Sequence, residues 1–340
     1  MKTYIGKYIV LLLLSMLLVV QPDLSYGQSQ PTSKPVTLKL VTFPFLSFAP
    51  IYIAEEEGYF AEQGLQIEYI KMKEAVAFQA LARGDVDAWG GLTAIGALNA
   101  IQRGANIRFV AARGEYDPNG CFYNGLVVRK ALLDAGELNT PAQLKGRNIA
   151  WYMTSPEEYF LEKVLAKAGL TLDDVTKITI PPPADLGAMT KGSLDATVGG
   201  EPWVSRMKKA GVGTAWIPIQ DYLPGFQNGT FIYGPNLLEK NPAAGIRLMA
   251  AYLKGLRQYN QGKTERNLEI VANFTKMDKE FLKNACWAYV PVDGRIKYQS
   301  LDEFQKWAVS KGYIDRPLTK DLLWAPDFIE KAHEILKKTP

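Results

Sequence analysis

Histidine is almost missing from this chain: among 340 residues there is one, His333, near the carboxyl end. A lone histidine on a terminal helix pattern matches no catalytic template, so it is expected at the surface. Cysteine is nearly as scarce, with Cys121 and Cys286 alone, and no Cys/His group has the spacing of a zinc site. No Gly-x-Ser-x-Gly elbow presents a nucleophile. Neither a Walker-type loop nor a Gly-x-Gly-x-x-Gly turn is there to hold phosphates. Carboxylates are scattered, and no two declare themselves as an acid–base couple. These gaps argue against an enzyme, a resident metal and a cofactor. Charge of one sign is not concentrated either: 39 Lys and Arg face 35 Asp and Glu, for a net charge of +4. Holding a phosphate backbone takes clustered charge, so nucleic acid is not an expected partner.

Long apolar runs are absent beyond the first segment. Lys2 and Lys7 precede an apolar run over 8–20, Pro22 ends it, and Ser25-Tyr26-Gly27 supplies small residues before a cut. That order of charged, apolar and small residues is a secretory signal, expected over 1–27. The run is short of the roughly 20 residues that span a bilayer. A polar, proline-containing lead-in follows over 28–35. Export implies an oxidising compartment, with a bacterial periplasm expected. Two cysteines in such a chain could pair, and the sequence leaves that open.

What is present in abundance is alternation. Apolar residues make up 47% of the chain, enough for a full core. Strand patterns over 36–42, 65–70, 86–89 and 107–112 alternate with helix patterns over 50–57, 74–83 and 92–103, which argues for a largely parallel sheet covered by helices. A second set begins with strand patterns over 126–129 and 148–151. Ser155 then opens a helix, its hydroxyl expected on the amide of Glu158 while the Glu158 side chain reaches back. Strands over 177–180 and 196–199 follow. The two sets echo one another: Arg83-Gly84-Asp85-Val86-Asp87-Ala88 is matched by Lys191-Gly192-Ser193-Leu194-Asp195-Ala196, and Gly90-Gly91 by Gly199-Gly200. Two similar α/β lobes account for this repetition. If the chain crosses twice between them, near 114–124 and 218–229, lobe one takes 36–116 and 226–340. Lobe two is then a single insertion, 117–225.

Several segments together resemble a known family. Ala49-Pro50-Ile51-Tyr52-Ile53-Ala54 and Glu57-Gly58-Tyr59-Phe60-Ala61-Glu62-Gln63-Gly64-Leu65 resemble the opening of importer-associated binding proteins for sulfonates, nitrate and thiamine-precursor pyrimidines. Ala80-Leu81-Ala82-Arg83-Gly84-Asp85-Val86-Asp87, Asn99-Ala100-Ile101-Gln102-Arg103-Gly104-Ala105, Leu144-Lys145-Gly146-Arg147 and Gly200-Glu201-Pro202-Trp203 extend the similarity over roughly 36–260. The resemblance implies the type II periplasmic binding fold, two α/β lobes on a two-crossing hinge with a solute between them. It also implies a monomer that serves the membrane permease of an ATP-driven (ABC) importer.

Ligands in α/β lobes sit at the carboxyl ends of strands, near helix starts. Four loops qualify: Phe43, Phe45, Ser47 and Phe48; Trp89, Gly90, Gly91 and Thr93; Trp151, Tyr152 and Thr154; and Glu201 with Trp203. Glycines there let backbone approach a ligand, and the indole and phenol rings offer faces to a flat ring. Arg113 and Glu115 read as hinge or rim residues, with Asn119 and Asn228 as further crossing residues. An ionised Glu201 beside Trp203 suits an amino-bearing aromatic such as an aminopyrimidine. An alkanesulfonate, nitrate or other small organic anion is the alternative, and a secreted enzyme on the same scaffold the second alternative.

Overall fold

The computed structural model describes residues 34–338 apart from Pro44 and the side chains of Glu74 and Ala75. The export signal over 1–27 and all but the end of the 28–35 lead-in lie outside the described residues. Among the described residues, ten strands form two five-stranded sheets. They are β1 (Val36–Val41), β2 (Leu65–Ile70), β3 (Ala88–Leu92), β4 (Arg108–Glu115), β5 (Asn124–Arg129), β6 (Asn148–Ala150), β7 (Thr176–Ile178), β8 (Ala196–Gly200), β9 (Gly213–Pro218) and β10 (Gln227–Tyr233). One sheet runs β2-β1-β3-β10-β4 and the other β7-β6-β8-β5-β9.

The two sheets are built alike. In each, four strands run in one direction and the fifth enters antiparallel: β10 lies antiparallel between β3 and β4, and β5 between β8 and β9. In each, the antiparallel strand is the one that has just arrived from the other lobe. The sequence echo falls on equivalent strands, β3 and β8. The sheets are therefore mixed, with one strand in each opposed to the other four. The paired glycines also differ from the turn expected of them. Gly90 and Gly91 continue β3, opposite Phe231 and Thr230, and Gly199 and Gly200 continue β8, opposite Gly125 and Asn124. A ladder with a distant strand keeps them extended where local propensity favours a turn.

Helices cover the sheets where apolar stripes allow. Asn241 opens Pro242–Tyr259 by accepting from the Ala244 amide at 3.1 Å, and Leu248, Ala251, Tyr252 and Leu256 are buried along it. Burying each such leucine contributes about 1.5–3 kcal/mol. Gly255 brings this helix against Ala49–Glu56; a Cβ there would stand 2.2 Å from the Pro50 carbonyl oxygen. The start of Pro156–Lys167 differs from the expected reciprocal cap. Ser155 Oγ accepts from the Glu157 amide at 3.2 Å, and Glu158 accepts from the Thr154 amide at 2.9 Å. Thr154 has a positive φ of 57°, which turns its amide toward Glu158.

Two connections, 116–123 and 219–226, carry the chain between the sheets. They run together: the Tyr116 amide donates to Phe226 O at 3.0 Å and the Gly225 amide to Tyr116 O at 2.7 Å, and the Tyr116 and Phe226 rings stack at 6.2 Å. A disulfide joins Cys121, in the first connection, to Cys286, with the Cα atoms 5.8 Å apart. This settles the pairing that the sequence left open. The helix Tyr298–Ser310 leans on Pro156–Lys167, where Trp307 Nε1 donates to Glu162 at 2.6 Å and the Tyr313 hydroxyl donates to Glu158. His333 is half-buried and meets the Asp293 carbonyl at 2.7 Å, away from the crevice described below.

Asp185 is a buried carboxylate inside the second lobe. Thr197 Oγ1 donates to its Oδ2 at 2.8 Å, while Oδ1 has no hydrogen-bond partner among the described residues. Burial pushes this carboxyl up from 3.8 to about 6. The folded state then binds its proton more tightly than the unfolded state, so this group lowers stability as pH rises from about 4 to 6. A shift of that size corresponds to about 2–3 kcal/mol. Asp185→Asn is expected to match the parent near pH 4 and to melt higher than it at pH 7. Melting curves across that range check this, and a difference that does not change with pH contradicts it.

Candidate functional site

Carboxyl ends of strands from both sheets meet at one crevice beside the paired connections. In the first lobe, the turn Leu46–Phe48 follows β1, and β4 brings up Arg113. Arg113 is 2% exposed. Its Nη1 donates to Ser47 Oγ at 2.5 Å and its Nη2 to the Gly91 carbonyl at 2.8 Å, and the guanidinium lies 4.0 Å from the Phe48 ring centroid. The glycines of β3 make room for it. A Cβ on Gly90 would stand 3.2 Å from the Phe48 ring and 3.4 Å from Arg113 Cδ, and one on Gly91 would strike the Trp89 indole at 2.0 Å. Taking a guanidinium out of water costs several kcal/mol unless opposing charge or good hydrogen bonds offset it.

The second lobe faces this charge with polar groups. Tyr123, half-buried in the first connection, neighbours the Ser47 hydroxyl and lies within the electrostatic reach of Arg113, Glu201 and Glu157. Burial dominates and raises its phenol above the usual range. Asn124 Nδ2 donates to Glu157 Oε1 at 3.2 Å, and Glu157 also lies near the buried Tyr116 phenol. Asn124 is 7% and Glu157 5% exposed. Direct backbone contact closes the crevice further along, where the Ile95 amide donates to the Thr154 carbonyl at 3.2 Å.

The residues singled out from sequence divide into groups. Phe43, Phe45 and Phe48 cluster with ring centroids 6.1–6.5 Å apart. With Ser47, Gly90 and Gly91, Phe48 forms the seat of Arg113. Trp89 is buried against Phe78 at 4.4 Å. Thr93 spends its groups on the hinge strand, its amide donating to Asn228 O at 2.8 Å and its hydroxyl to Gln227 O at 2.9 Å. Trp151 is half-buried with Lys177 over its ring at 5.2 Å, and Tyr152 is 48% exposed. Glu201 is buried and accepts from Ser205 Oγ at 2.6 Å, the Ser205 amide at 3.2 Å and the Cys286 amide at 3.3 Å. It caps its own helix and ties the lobes at the disulfide. Burial raises its carboxyl, with those hydrogen bonds and Lys263 opposing. Trp203 carries Arg206 on its face at 4.5 Å and packs within the second lobe. Trp89, Trp151 and Trp203 make no ring contact with one another among the contacts described.

Sequence reasoning placed Arg113 at the rim and passed over Tyr123, Asn124 and Glu157. One signal was available: Arg113 ends the apolar run Phe109 to Ala112, and a charge on a buried strand calls for a reason. A cavity of about 310 Å³ opens beside the disulfide, with Tyr116, Tyr123, Tyr259, Trp287 and Tyr289 in its wall. Tyr123 lies both in that wall and in the crevice. No group of three or more metal-ligating side chains occurs among the described residues, and no described helix is long and apolar enough to cross a membrane.

A family profile described as NMT1/THI5 like matches residues 46–261. The bicarbonate-binding protein CmpA of a Synechococcus species is 27% identical over 326 residues, covering 85% of this chain and 69% of that protein. Among solved structures, the periplasmic nitrate-binding protein NrtA of Synechocystis PCC 6803 superposes with a TM-score of 0.71 at 18% identity, covering 89% of this chain and 90% of that one. The alkanesulfonate-binding protein SsuA of Xanthomonas axonopodis pv. citri, bound to MOPS, superposes at 0.65 with 18% identity, covering 86% and 99%. Both likenesses show the same two-lobed fold.

Proposed function

The chain belongs to the NMT1/THI5-like family, and from that premise we propose that it is the solute-binding component of an ABC importer, closing its two lobes on a small organic or inorganic anion. The observation that carries this proposal is the buried guanidinium of Arg113, which donates to Ser47 Oγ and the Gly91 carbonyl and lies within electrostatic reach of Tyr123 in the first connection. A fixed, desolvated cation at the meeting point of two lobes attracts an anion far more strongly than an exposed one. The relatives named for bicarbonate, nitrate and alkanesulfonate support the same class of solute.

An aminopyrimidine is less favoured. That expectation relied on a Glu201 carboxylate free to meet an amino group, yet its oxygens already accept from Ser205 and Cys286. Closure supplies the mechanism. A solute that touches Arg113 on one lobe and the groups around Tyr123 on the other gains contacts only when the lobes are together, and so shifts the population toward the closed state. The closed form then presents itself to a permease, and a periplasmic location agrees with the export signal expected from sequence.

Titration calorimetry with bicarbonate, nitrate, ethanesulfonate, 2-aminoethanesulfonate and 4-amino-5-hydroxymethyl-2-methylpyrimidine tests this. Saturable binding of at least one anion, weakened by added salt, is expected. Binding of the pyrimidine alone contradicts it.

A further inference from the structure

Independently of the anion site, we infer that the cavity beside the disulfide is a second binding site, for a small organic cation with a methylated ammonium group. Its volume of about 310 Å³ lies at the lower end of small-ligand sites, about 300–1,000 Å³. Tyr116, Tyr123, Tyr259, Trp287 and Tyr289 stand in its wall, and Arg113 and Glu157 lie outside it. Five aromatic rings around one small opening suit a ligand that binds to ring faces.

The wall is fixed before any ligand arrives. The Glu115 amide donates to the Tyr289 carbonyl at 2.9 Å, and the Cys121–Cys286 bridge ties the same two segments a second time. Tyr259 ends the helix Pro242–Tyr259. Its hydroxyl donates to the Ala288 carbonyl at 2.5 Å, and its ring stacks on Trp287 at 5.4 Å with 17° between the planes. Tyr116 and Tyr259 are buried, Tyr123 and Trp287 are half-buried, and Tyr289 is 43% exposed where the cavity opens. A preformed wall saves the ordering cost of binding.

Carboxylates set the sign of the charge. Glu115 and Asp117 share the wall with the rings. Glu115 is paired with Lys297. No ion pair reaches Asp117 among the described residues, and its Oδ1 accepts from the Asn119 amide at 3.0 Å. Lys263 is the basic residue of the wall, and its ammonium is spent on backbone, donating to the Lys283 and Ala285 carbonyls at 2.7 Å each. Burial raises the Tyr289 phenol, and the charges of Glu115 and Asp117 raise it further, with Lys297 opposing. An ammonium over a ring face gains about 0.5–2 kcal/mol, a neutral ligand forgoes that term, and an anion meets repulsion. A methylated ammonium fits better than a bare one. It needs no acceptors, and the carbonyls of Lys283, Ala285 and Ala288 are already taken.

Calorimetry on the parent protein with tetramethylammonium, choline and the neutral isostere of choline, 3,3-dimethylbutan-1-ol, tests this. Choline is expected to bind saturably with a dissociation constant below about 1 mM, and about 10-fold more tightly than its isostere. Tyr289→Leu removes a ring at the exposed side of the wall and is expected to weaken choline and tetramethylammonium by about 3- to 30-fold, the worth of one cation–π contact. Tyr289→Phe, which keeps the ring, is expected to restore them. Asp117→Asn, which keeps an acceptor for the Asn119 amide, is expected to weaken both cations and to leave the isostere unchanged. Absence of cation binding, an isostere that binds as tightly as choline, or cation affinities unchanged in both Tyr289→Leu and Asp117→Asn overturns the inference. Anion titrations on the same protein are read separately, and their failure overturns the anion reading alone.

Discussion

Replacing Arg113 with Met lowers affinity for anionic solutes by at least about 100-fold, the scale expected when one partner of a buried, hydrogen-bonded charge pair is removed. Met keeps most of the volume beside Phe48 and Gly90, so the seat is expected to stay filled. The variant is expected to fold with some loss of stability, since the buried Gly91 carbonyl loses a donor. Arg113→Lys is expected to fall between the two. It keeps a charge but not the fork that reaches Ser47 Oγ and the Gly91 carbonyl together. Calorimetry measures the affinities and urea unfolding the stability. Parent-like affinity in Arg113→Met would remove the guanidinium from the site.

The second large effect concerns stability. Cys121 and Cys286 lie 165 residues apart in sequence, so their bridge closes a long loop in the unfolded chain. The chain-entropy account gives about 5 kcal/mol for a loop of this length, and measured losses on removing native disulfides run at about 2–5 kcal/mol. The double replacement Cys121→Ser, Cys286→Ser is expected to lower the unfolding free energy by that amount. Reductant should have the same effect on the parent and none on the variant. Urea unfolding with and without reductant decides it. An unchanged midpoint would mean that the two segments are held by their packing alone.

Much of the architecture could be read from the sequence because it repeats. The glycine-stopped helices of the echo lead into β3 and β8, equivalent strands of two matching sheets. What escaped was set by partners distant in sequence. The Gly90-Gly91 pair looks like a turn on its own, and becomes strand because β10, some 140 residues later, pairs with it. Arg113 looks like a rim residue until the turn Leu46–Phe48 folds over it. Glu157 and Glu158 are neighbours on one helix, and one residue of rotation, about 100°, decides which meets Asn124. Sequence favoured Glu158 as the residue with a local task, and said nothing of Glu157. Glu201 shows the opposite error: a carboxylate that looked available to a solute is taken up by its own helix and by the loop at Cys286.

Small-angle scattering tests most directly whether the halves shut on a charged guest. With the anion that calorimetry finds to bind best, the radius of gyration of the parent protein should fall at saturation, and that of Arg113→Met should not. A parent profile that stays the same with the site filled would contradict closure.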